Sequence, residues 1–239
     1  MKGLLCSIPE CSTKCNSCTN NHNPLLTGLD IEARHKIDSN KSKIIFKKGE
    51  YIFKEGLFPS GLFCLNQGKV MVTKSDDFGN SIIINLHKEV TFLGIADYIA
   101  QIPYQSNCIA LDDTKVCILR NEDVQGFISN NRTFSNRLLS TLSSQFHRSN
   151  KRLLIATKKQ MSSRLADALL ELDEVFGTNS SGYLDVYLKR SDLALLGNMS
   201  EANAIRHLSS FGKNGIIRIH RKQIEILDKK RLQRESELV

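Results

Sequence analysis

Apolar positions along the chain change their period, and each change marks a different kind of structure. Between residues 44 and 119 short runs of β-formers recur: Ile44-Ile45-Phe46, Tyr51-Ile52-Phe53, Leu62-Phe63-Cys64-Leu65, Val70-Met71-Val72, Ile82-Ile83-Ile84, Ile109-Ala110-Leu111 and Val116-Cys117-Ile118-Leu119. Gly49, Gly56, Gly61, Gly68, Gly79 and Gly94 punctuate them. This stretch predicts many short strands folded into a compact antiparallel roll or sandwich. Such a roll is either a hollow scaffold for a small ligand or a filled body that transmits contacts.

From about residue 134 to 159 the period becomes helical. Leu139, Leu142, Phe146, Ser149, Leu153 and Ala156 alternate steps of three and four residues, the pattern of a heptad seam. Ser143, Ser144, Gln145, His147, Arg148, Asn150, Lys151 and Arg152 make the rest of that helix polar. A narrow seam on a polar helix buries best against its own copy, so it predicts a dimer spine; packing of the seam onto the chain's own roll is the competing use. A second helix follows, with Leu165, Ala168, Leu169, Leu172, Val175 and Phe176 on one face, and it leads to Gly177.

Residues 189–217 hold two short amphipathic helices that meet at Gly197-Asn198-Met199. Leu193, Leu195, Leu196, Ala204, Ile205, Leu208, Phe211 and Ile216 supply their apolar positions. Gly197 or Asn198 takes the positive φ of the turn, and Ser200 is a natural N-cap. The second helix is expected from Glu201 to Lys213, ending at Asn214-Gly215. Its polar face then carries Glu201, Asn203, Arg206, His207 and Ser210, side chains able to reach base edges or phosphates in a major groove. Before this pair, Tyr183-Leu184-Asp185-Val186-Tyr187-Leu188 alternates like a half-buried strand. After it, Ile216-Ile217-Arg218-Ile219 and Gln223-Ile224-Glu225-Ile226-Leu227 flank His220-Arg221-Lys222 like a hairpin with a basic tip.

Charge sharpens that reading. The 239 residues carry a formal net charge of +8. Residues 189–231 hold ten Lys and Arg against four Asp and Glu, so most of the excess sits on the helix pair and its hairpin. Concentrated positive charge on a small helical module is the footprint of phosphate binding. No nucleophile, base and orienting group form an enzyme's constellation. No apolar run approaches the roughly 18 residues of a membrane span, and Leu4-Leu5 before Cys6 is too short for a secretory core; a cytoplasmic protein with no membrane partner is expected.

The first 24 residues are compositionally distinct, with Cys6, Cys11, Cys15 and Cys18 among seven cysteines in all. In a reducing compartment clustered thiols serve as metal ligands or redox groups more often than as disulfides. Zinc, an iron–sulfur cluster, and a tail of thiols with no ligand all remain open on spacing alone.

The order of these parts resembles the CRP/FNR family of bacterial transcription regulators over essentially the whole chain. The matching pieces are KKGEYIFKEG at 47–56, residues 61–72, ALDDTKVCIL at 110–119 and RSDLALLGNMSEANAIRHLSSFGKNGII at 190–217. The resemblance implies an α+β architecture: an N-terminal antiparallel β-roll of jelly-roll (double-stranded β-helix) type, a long dimerisation helix, and a C-terminal winged helix-turn-helix. The expected divisions are a cysteine-rich segment (1–24), the roll (25–132), the dimer helix (133–159) and the DNA-binding domain (160–239).

By the same resemblance Arg206 reads a guanine, with Glu201, Ala202 and Asn203 at the other reading positions. Arg190, His220 and Lys222 hold phosphates, and Ser200 and His207 complete the expected DNA-binding set. The dimer contacts are Leu139, Leu142, Phe146, Leu153 and Ala156. Ala202 departs from the family's usual glutamate, and Asn198 stands where a turn glycine is usual. Cyclic AMP is not the expected ligand, because Phe92-Leu93-Gly94-Ile95-Ala96 and Tyr104-Gln105-Ser106-Asn107 lack the glutamate and arginine that hold the nucleotide in cyclic AMP-binding members. Cys117 falls where the oxygen-sensing branch carries a ligand, so an iron–sulfur cluster on Cys11, Cys15, Cys18 and Cys117 is implied as a candidate cofactor. The expected function is a homodimeric regulator on a palindromic double-stranded DNA operator, with RNA polymerase as partner for an activator. The alternative is a small-molecule-binding protein without transcriptional output.

Overall fold

The computed structural model describes Leu29, residues 31–88 and residues 91–238, with Arg34 described by its backbone alone. The predicted segment 1–24, with Cys6, Cys11, Cys15 and Cys18, lies outside the described residues.

Helix α1 (Ile31–Asn40) leads into strands β1 (Ser42–Phe46), β2 (Tyr51–Phe53), β3 (Leu62–Gln67), β4 (Lys69–Ser75), β5 (Ser81–Lys88) and β6 (Thr91–Leu93). After the short α2 (Ile95–Ala100) come β7 (Asn107–Ala110) and β8 (Thr114–Leu119), then α3 (Asn121–Asn130). The strands form two four-stranded sheets, ordered β1-β8-β3-β6 and β2-β7-β4-β5, with every pair antiparallel. Ile52, Val70, Val72 and Cys108 from one sheet meet Phe63, Leu65, Leu93 and Val116 from the other in an apolar interior. Because side chains alternate along a strand, Leu62, Phe92 and Leu119 emerge on the opposite face. They are buried too, under Tyr98 of α2, Val124 and Phe127 of α3 and the first turns of the next helix. A sheet covered on both sides explains why its central strand reads as a nearly continuous apolar run.

That next helix, α4 (Arg132–Lys158), has 27 residues and so extends about 40 Å at 1.5 Å per residue. Asn131 caps it, its side-chain oxygen accepting from the Phe134 N–H at 2.9 Å. Phe134 and Leu138 are buried against the roll, whereas Leu139, Phe146 and Leu153 are more than 60% exposed. Leu142 stands between these faces, packed against the cluster around Phe134. Most of the predicted seam therefore stays uncovered within one chain, with Leu142 partly turned inward.

The remaining elements are α5 (Met161–Phe176), α6 (Arg190–Leu196), α7 (Glu201–Lys213), β9 (Ile217–His220), β10 (Gln223–Ile226) and α8 (Lys229–Glu237). Leu165, Leu169, Leu172 and Phe176 of α5 centre a core shared with Leu193, Leu208, Phe211, Ile217, Ile224 and Leu232. Ile83 and Leu86 of β5 belong to the same cluster, so the roll and the C-terminal module are joined by apolar packing. Ion pairs border it: Asp185 meets Lys69 at 2.9 Å and Lys88 at 3.5 Å.

The predicted strand at 183–188 does not form. That segment is extended, but its pairing is limited to one isolated bridge, Leu184 with Thr178, and single backbone bonds such as the Leu184 N–H to the Ile224 carbonyl at 2.8 Å. The alternation is nevertheless real, since Leu184 and Leu188 point inward.

Candidate nucleic-acid interface

The candidate recognition element is α7. Ala204, Leu208 and Phe211 are buried against the module's core, and this spacing turns Glu201, Ala202, Ile205, Arg206, Ser209 and Ser210 to solvent. The Ser200 hydroxyl accepts from the Asn203 N–H at 3.3 Å, the capping bond expected from sequence. Glu201 in the first turn and Lys213 in the last complement the helix dipole. Arg206 stands exposed in mid-helix, and Asn203 is half-buried at the start.

The turn before α7 is fastened from outside. Asn198 takes the left-handed conformation, with φ 48°, a role open to asparagine because its short polar side chain tolerates it. Arg164, in the first turn of α5, donates from Nε to the Gly197 carbonyl at 3.0 Å and from Nη2 to the Asn198 carbonyl at 2.9 Å. Its Nη1 donates to the Lys159 carbonyl, at the end of α4, at 3.1 Å. One guanidinium thus ties the long helix to the helix-turn-helix. Sequence reasoning missed Arg164, because nothing local to it signals the two distant carbonyls of Gly197 and Asn198.

Two expected positions shift. His207 is not on the open face: it follows Ala204 by three residues and precedes Leu208, so the helical period carries it to the edge of the buried stripe. It is half-buried, its Nε2 is enclosed without a hydrogen-bond partner, and burial followed by the Arg206 charge holds its pKa below the ordinary histidine value. Ile205, counted by its spacing among the packing positions, is instead 49% exposed beside Arg206. An exposed β-branched side chain on this face is able to meet a thymine methyl, a capacity the pattern hid.

Around α7 the surface is basic. Arg190 opens α6, whose start is closed by the Lys189 N–H donating to Asp192 Oδ2 at 2.8 Å. β9 and β10 pair as the predicted hairpin, with Arg218 opposite Glu225 and their side chains 2.9 Å apart. His220, Arg221 and Lys222 at its tip are all exposed. Lys222 Nζ lies 5.2 Å from the centre of the Tyr187 ring, which Lys48 of the roll also approaches at 4.7 Å; such cation–π contacts hold the wing's lysine near the roll.

In the roll interior the Tyr104 ring stacks on Phe53, with ring centres 3.9 Å apart. Gly94 has φ +64°, and a Cβ there would lie 2.5 Å from the Tyr104 ring, so glycine is required for this close approach. Ile52, Phe63, Leu65, Val70 and Val116 pack around the same Tyr104–Phe53 pair. Of the proposed cluster ligands, Cys11, Cys15 and Cys18 lie outside the described residues. Cys117 is half-buried on β8, directly opposite Cys64 of β3 and Lys43 of β1.

Residues 43–131 match the family model of the cyclic nucleotide-binding domain, and residues 163–235 match that of the Crp-like helix-turn-helix domain. The chain belongs to the CRP/FNR family. Its CRP/FNR relatives include the CRP-like cAMP-activated global transcriptional regulator of Mycobacterium tuberculosis, 23% identical over 214 residues, which span 89% of this chain and 96% of that protein. The transcriptional activator protein anr of Pseudomonas aeruginosa is 22% identical over 184 residues, covering 76% and 75%. The fold is also that of FixK2 from Bradyrhizobium japonicum, with a TM-score of 0.74 at 18% identity over 83% of this chain and 98% of that one. A crp/fnr-family structure from Eubacterium rectale gives 0.73 at 21% identity, over 89% and 97%. As a CRP/FNR regulator the chain joins a sensing roll to a DNA-binding winged helix; a small-molecule-binding protein without transcriptional output is not the favoured reading.

Proposed function

We propose that this chain works as a homodimer that reads a palindromic operator with α7 and reports a signal sensed by its roll. The observation carrying this reading is the exposed, capped α7 with Arg206 at its centre, set in a basic surface. Arg206 presents two parallel donors to a guanine, the commonest specific base contact. Glu201, Asn203 and Ile205 flank it at the reading positions. Arg190, Ser200, His220 and Lys222 surround α7 and take phosphates, which fix register without reading sequence. His207 stands at the margin of this set, with its Nε2 turned into the protein. The site is thereby that of a binder, with no catalytic role for any of these groups.

Dimerisation is supported by Leu139, Phe146 and Leu153, exposed at 62%, 64% and 64%. Burying a leucine or phenylalanine side chain is worth about 1.5–3 kcal/mol, so a seam shared with a second copy recovers several kcal/mol that one chain forgoes. Leu142 and Ala156 border the same stripe. Two-fold symmetry then sets the half-sites about one helical turn apart. The work is placed in the cytoplasm, where such DNA is found, with RNA polymerase as a further partner when the protein activates.

The signal is not cyclic AMP. The mycobacterial relative is named as cAMP-activated, but here Tyr104 stacks on Phe53 in the interior, and residues 92–96 and 104–107 carry neither a glutamate nor an arginine, which leaves a cyclic phosphate without a bidentate partner there. The chemistry of the cysteines suits an iron–sulfur cluster held by Cys11, Cys15, Cys18 and Cys117, since a half-buried thiol on a rigid strand is a sound fixed ligand. A cluster would supply oxygen- or redox-dependent breakage of iron–thiolate bonds. Cys117 would fix it to the sheet whose outer face packs on the base of α4.

Selection of bound sequences from random duplex DNA tests the reading. It should return a palindrome with guanine at symmetric positions in each half. Enrichment of no sequence, or of single unpaired sites, contradicts it.

A further inference from the structure

Helix α4 runs up to the connection at Lys159-Gln160 and α5 runs away from it. Near that connection ion pairs join the two helices like rungs. Lys159 meets Asp167 at 2.7 Å, and further out Arg152 pairs with Glu171. About one helical turn beyond, at the next rung, Arg148 and Lys151 stand on α4 and Glu174 on α5. This rung is open. All three side chains are exposed, and none has an ion-pair or hydrogen-bond partner among the described residues. Between the two walls lies a cleft of about 680 Å³ whose apolar lining is Ile155, Leu170 and Val175. The cleft does not belong to the dimer seam. Arg148, Lys151 and Ile155 each follow Phe146, Ser149 or Leu153 by two residues, roughly 200° round a helix of 3.6 residues per turn. It therefore stays open when a second copy covers the seam.

We propose that this cleft binds a small zwitterion of the α-amino acid class with an apolar side chain. The unpaired charges are of both signs and stand on opposite walls, so a ligand of one charge leaves the other wall without a partner. Asp167 and Glu171 are already held by Lys159 and Arg152, which leaves Glu174 as the acceptor for an ammonium. The ligand's carboxylate takes Arg148, whose planar fork of donors matches it two to two, with Lys151 beside it as a point charge. Its side chain lies on Ile155, Leu170 and Val175. A volume within about 300–1,000 Å³, an apolar lining and a few convergent polar groups are what small-molecule sites offer.

The site has a mechanical consequence. A ligand at the open rung is a third cross-link between α4 and α5. Arg164, in the first turn of α5, clasps the turn before α7, so occupancy of the cleft holds the helix that carries this clasp against α4. The site stands on the cleft and its charges and does not depend on the operator reading or on a cluster involving Cys11, Cys15, Cys18 and Cys117.

The test is calorimetric titration of the full chain, without DNA, with L-valine, L-leucine and L-phenylalanine in turn. At least one should bind saturably, once per chain, with a Kd below about 10 mM. The amide of that amino acid, which lacks the carboxylate charge, and its deaminated acid, which lacks the ammonium, should each bind at least about tenfold more weakly, because a charged hydrogen-bonding partner is lost. Glycine, without the apolar side chain, should bind more weakly too. Arg148→Gln and Glu174→Gln should each weaken binding of the amino acid at least about tenfold, while the melting temperature hardly moves, since both side chains are exposed. No saturable binding of any of the three amino acids up to about 10 mM, equal binding of the amide or the deaminated acid, or binding left unchanged by either substitution overturns the proposal. None of these results bears on DNA binding, which the site selection reads separately.

Discussion

The guanidinium of Arg164 holds the carbonyl of Asn198 at 2.9 Å, and through it the turn that aims α7. Hydrogen bonds from a charged donor are worth about 1.5–3 kcal/mol each, less where water competes. Arg164→Met should therefore lower unfolding free energy by about 2–4 kcal/mol and weaken operator binding by about tenfold or more. Arg164→Lys should recover only part, since one ammonium cannot span three carbonyls. Denaturant titration paired with operator binding checks both; a change within about 0.5 kcal/mol in each would show that the turn holds itself.

Leu139→Glu and Phe146→Glu should give monomers with little loss of monomer stability, because both side chains are mostly exposed in the single chain while an unpaired charge in an apolar interface is costly to desolvate. Leu142→Glu should behave differently and damage the fold, since Leu142 packs on the roll's own cluster. Sedimentation equilibrium at low micromolar concentration separates these outcomes. Dimers that persist in both exposed-site variants would place the spine elsewhere.

Ile205→Ser should leave the thermal midpoint nearly unchanged, as expected for a surface substitution away from packing. It should reduce discrimination several-fold at an A·T pair in each half-site, by loss of contact with a thymine methyl. Competition binding against single-base variants of the selected operator would reveal it; equal loss at every position would assign Ile205 a merely structural role.

His87 gives the fold a pH dependence. Burial, then the charges of Arg148 and Arg152, push its pKa from 6.5 to about 4. Between those values the unfolded chain binds more protons than the folded one, so stability is full above about pH 6.5 and falls as the pH drops toward 4. His87→Gln should flatten melting temperature across that window. Asp185 acts lower: burial raises its pKa, but Lys69 and Lys88 together bring it below the ordinary carboxylate value, so its contribution is lost only in stronger acid. A variant at His87 that keeps the full slope would assign the dependence to other groups.

Some of this was legible in the chain and some was not, for physical reasons. α7 announced itself because Ala204, Leu208 and Phe211 fall at helical steps behind a Ser200 cap, and the wing because Ile217, Ile219, Ile224 and Ile226 alternate around a basic tip. α2 has six residues and α8 one buried apolar residue, Leu232, so neither has a periodic signature long enough to read. The segment 183–188 alternates like a strand, yet it finds only isolated partners. His207 and Ile205 were misplaced because a helical wheel resolves faces only to about one residue, and which side a boundary residue takes depends on neighbours far along the chain. Arg164, the Asp185 ion pairs and the Cys64–Cys117 juxtaposition arise from tertiary contacts between distant segments and leave no local pattern.

Sequence reading by α7 centres on Arg206. Binding of Arg206→Ala and Lys222→Ala should be compared with that of the unsubstituted chain on the selected operator and on a scrambled duplex, across a range of salt. A bidentate guanine contact contributes about 1–3 kcal/mol of discrimination, so Arg206→Ala should lose operator preference by about ten- to hundred-fold while keeping most of its affinity for the scrambled duplex. Lys222→Ala should weaken both duplexes alike and reduce the salt slope by about one unit. Identical operator preference in Arg206→Ala and the unsubstituted chain would contradict the central claim that α7 reads the sequence.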